Sequence, residues 1–311
     1  MPALPITASS SRVLLPLYVA LFCIAWSSAF AVAKYALHDC PPLLLLSARF
    51  LLAGVITLGA ALVTRTAWNL SARDLAALAL LGVFNNALYL GLNYVGLQTV
   101  SAGLSALILS TNPVLIALLA AVLIGESLSW RKVLGLALGV GGVAFTVSGR
   151  VAAGAESALG LAFVLASLAA FVLGTVLFKR LAPRGGLWVG NGVQNIAGGL
   201  ALTPFALSLE PLDAVMPSWG LIAALAYLVL VVSVIAYLLW FLLLTEYGAS
   251  AASAYHFLLP PLGVLFGWLL LNEQISLRDV LGVVPVAVGI YLVTRPGHSN
   301  GPVPSTARRL A

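Results

Sequence analysis

The sequence predicts an all-α integral membrane protein: ten transmembrane helices in two inverted-topology five-helix repeats. Three observations predict it. The first is composition: of 311 residues, 62% are hydrophobic and 8% charged, and the mean hydropathy is +1.10. A soluble domain has about 25% charged residues, and no water-soluble fold of this length hides so much apolar surface. The second is a series of ten apolar runs, each near the ~20 residues a helix needs to cross the hydrocarbon core. The third is a polar break written twice, "GESLSWRKVLG" from 125 and "NEQISLRDVLG" from 272.

The runs are 13–37, 43–64, 73–94, 99–124, 130–149, 158–180, 187–209, 218–244, 250–271 and 277–295. The breaks between them, such as "HDCPP", "GLQTV", "LAPRGG" and "TEYGAS", carry the Pro, Gly and polar residues that end helices. They are too short for a soluble domain. The chain divides into a cytoplasmic tail over 1–11, a first repeat over 12–150, a second over 151–295 and a tail over 296–311, both tails expected as disordered. Run 1 has a signal-peptide-like "AVA" at 31–33, but removing it would leave nine spans and break the repeat.

The repeat is read from one offset, 147 residues. It places Glu126 on Glu273, Ser129 on Ser276, Arg131 on Arg278, Gly135 on Gly282, Gly142 on Gly289 and Pro113 on Pro260. The first break joins runs 4 and 5; the second joins runs 9 and 10. A five-helix unit is odd, so its copy crosses the membrane the other way. Such repeats put a solute site at their interface near the midplane. Ser276 with Asp279 fits a helix-capping box. Gly135, Gly139 and Gly142 form a small-residue stripe suited to close helix packing.

Orientation is set by the cations. With both termini cytoplasmic, the inside segments hold eleven of the 15 Lys and Arg, and Lys34, Arg49, Arg150 and Arg278 fall in the outer half. This is the positive-inside pattern, so the net charge of +6 is a topology signal. No nucleic-acid partner is expected.

Polar residues inside spans should face a neighbour or a cavity. Span 1 offers Trp26 and Ser27, and span 4 offers Asn112. In span 3, Asn86, Tyr89 and Asn93 fall on one helical face; in span 7, Asn191, Gln194 and Asn195 do the same. The offset carries span 3 onto Ser233, Tyr237 and Trp240 of span 8, and span 9 adds His256. These residues are the candidate lining of a shared cavity, with interhelical hydrogen bonding as the plainer role for each. Arg49 is expected to snorkel to the outer interface, with pairing to an anionic ligand group as the alternative. All nine Asp and Glu fall at span ends or in loops, so flux without an imposed pH gradient is the expectation. Cys23 and Cys40 have no metal or redox spacing. No cofactor, metal or catalytic constellation is expected, and the chain does not read as an enzyme.

The segments "AWSSAFAVAK", "ARFLLAG", "NYVGLQTVSAGLSALI", "NP" at 112–113 and Glu126–Gly135, in this order and spacing, resemble the drug/metabolite transporter superfamily, EamA type. The aromatic-rich interior makes the chain similar to the YddG aromatic amino-acid exporters. The resemblance implies a multi-pass carrier of a bacterial inner membrane that exports small hydrophobic metabolites by alternating access. Aromatic amino acids are the solute it implies, with drugs or purine-like metabolites as the alternative. The partners implied are a small-molecule solute and the lipid bilayer; no oligomeric state is implied. The second half departs from the first, with Leu259 opposite Asn112 and Asp279 opposite Lys132.

Overall fold

In the computed structural model, residues 8–66, 68, 70–124, 129–152, 154, 156–181, 183, 186–240, 242–243 and 255–294 are described. Among them every regular element is helical. Helix α1 (Ala8–Ala36) begins inside the segment expected as a tail, while 1–7 and 295–311 lie outside the described residues. Then come α2 (Pro42–Val63), opened by the Pro41–Pro42 pair, and α3 (Ala72–Gly82). A capping box between Ser71 and Asp74 starts α3, each side chain taking an N–H the first turn leaves unpaired.

Span 3 is not one regular helix. A π-helical segment, Val83–Leu88, joins α3 to α4 (Tyr89–Leu97). Span 4 is broken: α5 (Ala102–Leu109) stops, and α6 (Asn112–Ile124) restarts after Ser110 and Thr111. Pro113 lacks the N–H that would bond the Leu109 carbonyl, so the ladder is interrupted there. Next are helices α7 (Trp130–Ala152), α8 (Ala158–Leu181) and α9 (Leu187–Leu209).

The second half repeats the π segment. Helix α10 (Trp219–Ala226), capped by Ser218, runs into a π segment over Tyr227–Ala236. The 147 offset carries the first π segment into this one. A single 3-10 turn, Tyr255–Leu258, gives way to α11 (Leu259–Leu271) at Pro260 and Pro261. The same offset carries the first residue of α6, Asn112, onto the first of α11, Leu259. Helix α11 ends at Asn272, which adopts the left-handed conformation at φ 54°. Helix α12 (Leu277–Thr294) completes the bundle, and the capping box expected between Ser276 and Asp279 is present.

Seven helical stretches among the described residues are long and apolar enough to cross a membrane. Large apolar side chains such as Val63, Val122, Leu209 and Leu277 face outward, a surface that requires lipid. Trp130 and Trp219, exposed at helix starts, suit the headgroup interface.

The most extensive helix pairs are α2 with α9 and α7 with α12. Both pairs are antiparallel, because advance along one helix is retreat along the other. Gly54 meets Ile196 while Leu58 meets Gly192 and Leu51 meets Gly199; Gly135 meets Gly289 while Gly142 meets Gly282. Around them, α1 packs on α11 and the second π segment, and α8 packs on α6 and the first π segment. Exchanging the halves maps one set of neighbours onto the other.

Candidate functional site

Where the α5–α6 break meets the start of α11, a cavity opens between α1, α4, α5, α6 and α11. It is lined by Trp26, Ser27 and Phe30 of α1, Tyr89 of α4, Leu109, Ser110 and Asn112 around the break, and Leu259 at the start of α11. The Ser27 hydroxyl donates to the Leu259 carbonyl at 3.5 Å. Tyr89 stacks on Phe171 of α8 with centroids 4.5 Å apart, which holds its ring at the cavity wall. The volume is ≈ 10 Å³, about the room one water molecule needs, so these walls leave no solute-sized space. Four of the sequence candidates, Trp26, Ser27, Tyr89 and Asn112, therefore share one site.

A second group gathers between the π segments and α9. Asn86 donates to the Asn195 side chain at 3.3 Å, Asn195 donates to the Asn191 side chain at 2.7 Å, and Asn191 donates to the Ser233 carbonyl at 3.0 Å. Gln194 pairs with the Tyr237 hydroxyl. Gly198 and Gly82 allow the close approach: a side-chain carbon at Gly198 would fall 2.5 Å from Asn86 Cβ, and one at Gly82 2.3 Å from the Gln194 carbonyl.

The single polar face expected for span 3 is not formed. Asn86 faces α9, Tyr89 faces α8, and Asn93 donates to Ser105 of α5 at 2.7 Å. Asn86 lies inside the π segment Val83–Leu88, whose i→i+5 bonding turns it relative to the α4 residues; Tyr89 and Asn93, four apart on regular α4, share a side of that helix but reach different neighbours, α8 and α5. Trp240 stacks on Phe22, which also contacts Trp26, in a cluster next to the cavity. The His256 side chain lies outside the described residues.

Arg49 does not snorkel. It is 5% exposed, donates from Nε to Ser233 Oγ at 3.1 Å and from Nη1 to the Tyr94 hydroxyl at 2.6 Å, and lies 5.6 Å from the Phe50 ring. It points across the bundle because α4 and the second π segment offer hydroxyl partners there. Sequence position alone weighted it toward the interface, since Arg49 is only about two turns from the start of α2.

One end of the bundle is tied by charge. Arg150 donates to Asp279 through Nε at 2.8 Å and Nη2 at 2.9 Å, and to Glu156 at 3.0 Å. Glu156 accepts from the Ser101 backbone at 2.9 Å. Glu273 accepts from the first N–H groups of α5, Ala102 at 2.6 Å and Gly103 at 3.0 Å, and pairs with Lys34 at 3.6 Å. A carboxylate at a helix start satisfies unpaired donors and the positive end of the dipole. The 2.6 Å bond ties the turn after α11 to the start of α5, two helices that both line the cavity.

An apolar helical bundle with matched π segments in its two halves finds its counterpart among known proteins. The model of the EamA-like transporter family matches twice, over residues 14–148 and over 158–295. The chain belongs to the EamA-like transporter family. EamA relatives span nearly its whole length. It is 29% identical over 279 residues to the uncharacterized transporter YvbV of Bacillus subtilis, covering 89% of this chain and 90% of that one. It is 31% identical over 289 residues to an uncharacterized transporter of Synechocystis, covering 87% and 86%. The uncharacterized inner membrane transporter YedA of Escherichia coli is 29% identical over 286 residues, covering 91% and 92%. A solved crystal structure superposes with a TM-score of 0.65 at 19% identity, over 89% of this chain and 95% of the other; at that identity the likeness speaks for the EamA fold alone.

Proposed function

We propose that this chain is an alternating-access exporter of small hydrophobic metabolites in a bacterial inner membrane, with aromatic amino acids as its solutes. Ten spans form two inverted five-helix repeats, 12–150 and 151–295, and both termini are cytoplasmic. The antiparallel crossing of α7 with α12 and of α2 with α9 supports the inversion. The bias of Lys and Arg supports the orientation.

One observation carries the reading: the cavity forms where the α5–α6 break meets the start of α11, at Asn112 and Leu259. Interrupted helices at a repeat seam supply backbone groups to a solute that a continuous helix would keep for itself. Its walls are aromatic, Trp26, Phe30 and Tyr89, with neutral polar groups at Ser27, Ser110 and Asn112. That lining suits an apolar ring with a small polar head. The cavity leaves no solute-sized space, so solute enters when one set of helices rocks away from the other; the Glu273 and Arg150 ties are what must part on their side.

Flux into proteoliposomes of phenylalanine, threonine and a purine tests it. Preferential movement of phenylalanine, with no need for an imposed pH gradient, is expected. Equal movement of all three would favour a broader exporter of drugs or purine-like metabolites.

A further inference from the structure

We propose that Arg49, with Tyr94 and Ser233, docks an anionic group of the transported solute, a carboxylate in the case of an amino acid. The inference deepens the function proposed above and rests on it for the identity of the cavity.

Arg49 is a permanent charge buried inside a bundle that sits in lipid. Intramembrane cations pair with acids, with backbone carbonyls or with a ligand. Glu156, Asp279 and Glu273 pair with Arg150 and Lys34. Among the described residues Arg49 hydrogen-bonds to two neutral hydroxyls and lies over the Phe50 ring, with no acid in an ion pair with it. A guanidinium carries five N–H donors in a planar fork. Two are used, and those on Nη2 find no acceptor among the described residues.

The partners add donors of their own. Tyr94 and Ser233 each accept from Arg49 through their oxygen, which leaves each O–H free to donate elsewhere. The cluster therefore presents positive charge and hydrogen-bond donors together, with no matching acceptor. A carboxylate is acceptor-only, and its two oxygens fit the guanidinium fork.

Position connects this cluster to the cavity. Tyr94 shares α4 with Tyr89, about 7.5 Å farther along the axis and about 140° round it, and α1, which gives Trp26, Ser27 and Phe30 to the cavity, packs on the π segment that carries Ser233; a solute whose ring meets Trp26 passes its anionic end to Arg49 along that seam. Ser233 belongs to the second π segment, so a turn of irregular backbone presents it to the ligand.

The test uses the purified full-length chain in detergent, read by thermal unfolding, with 3-phenylpropionate, 3-phenylpropanol and phenethylamine as probes. The carboxylate is expected to raise the unfolding midpoint, and the alcohol and amine are not. Arg49→Gln should abolish the difference, and Arg49→Lys should retain part of it. Should Arg49→Gln fail to fold, Tyr94→Phe and Ser233→Ala keep the charge and each should weaken carboxylate binding about tenfold, as loss of one bond in a charged cluster does. Equal stabilisation by carboxylate and alcohol, or a preference untouched in these variants, would overturn the proposal. Flux separates it from the broader reading. A protein that binds phenylpropionate through Arg49 yet moves no phenylalanine keeps this inference and removes the aromatic amino-acid solute. One that moves phenylalanine and phenethylamine alike does the reverse.

Discussion

Gly135 of α7 lies against the carbonyl of Gly289 of α12, and Gly289 lies against that of Gly135: a side-chain carbon built on either would sit 2.6 Å and 2.5 Å from the opposing oxygen. The Gly142–Gly282 pair farther along the same two helices repeats the contact. In lipid, helices associate through such backbone proximity, because burial from lipid brings no hydrophobic gain.

Replacing Gly135 or Gly289 by Val should therefore separate α7 from α12. Overpacking of this kind costs about 1–3 kcal/mol, since backbone cannot move aside as a flexible side chain can. Gly141→Ala serves as the control, because a carbon there meets nothing within 4 Å. Thermal unfolding in detergent is expected to show a lowered midpoint for the first two and none for the third.

Arg150→Ala should loosen the charged end of the bundle. It leaves Glu156 and Asp279, both almost wholly buried in their side chains, without their cation. Removing one partner of a buried pair costs about 3–5 kcal/mol; water at this end of the bundle lowers that to the lower bound. Reaction of Ser27→Cys with a membrane-impermeant thiol reagent should speed up in the Arg150→Ala background, as the seal over the cavity parts. An unchanged rate would mean that the ties do not gate this side.

Asn112→Leu gives the start of α6 the residue that the start of α11 has at Leu259. The fold should tolerate it, since a leucine already occupies the equivalent position. Phenylalanine flux should fall about tenfold, the loss expected from one polar contact to a charged solute. Tyr89→Phe keeps the ring stacked on Phe171 and should transport almost normally, whereas Tyr89→Ala should not.

The Asn86–Asn195 bond should prove weak. Interhelical hydrogen bonds in membranes average about 0.6 kcal/mol in double-mutant cycles, so Asn86→Ala and Asn195→Ala should be nearly additive in unfolding free energy. A coupling well above that would indicate that the network holds the π segments in shape.

Cys40, in the turn between α1 and α2, should resist alkylation. Burial, with Glu210 and Asp39 nearby, raises its thiol to about 11. Only the thiolate reacts, so at neutral pH about one molecule in ten thousand is reactive, and the rate should climb steadily as pH approaches that value. Maleimide labelling of the native protein against pH checks this; fast labelling at pH 7 would contradict it.

By itself the sequence determined the solvent, the duplication and the punctuation. Sixty-two per cent hydrophobic residues demand lipid, one offset aligns Gly135 with Gly282 and Pro113 with Pro260, and Ser276 with Asp279 marks a helix start. These are local or compositional signals, so a chain carries them openly. Tertiary structure decided where the polar groups point. Periodicity assigns a face only in a regular helix and never names the neighbour it meets: Asn86 falls inside a π segment, and Tyr89 and Asn93, four apart on α4, reach α8 and α5. Arg49 was drawn inward by Tyr94, 45 residues away in sequence, and by Ser233, 184 away. Such hydroxyls compete with the membrane interface for a guanidinium only once packing has brought α2, α4 and the second π segment together.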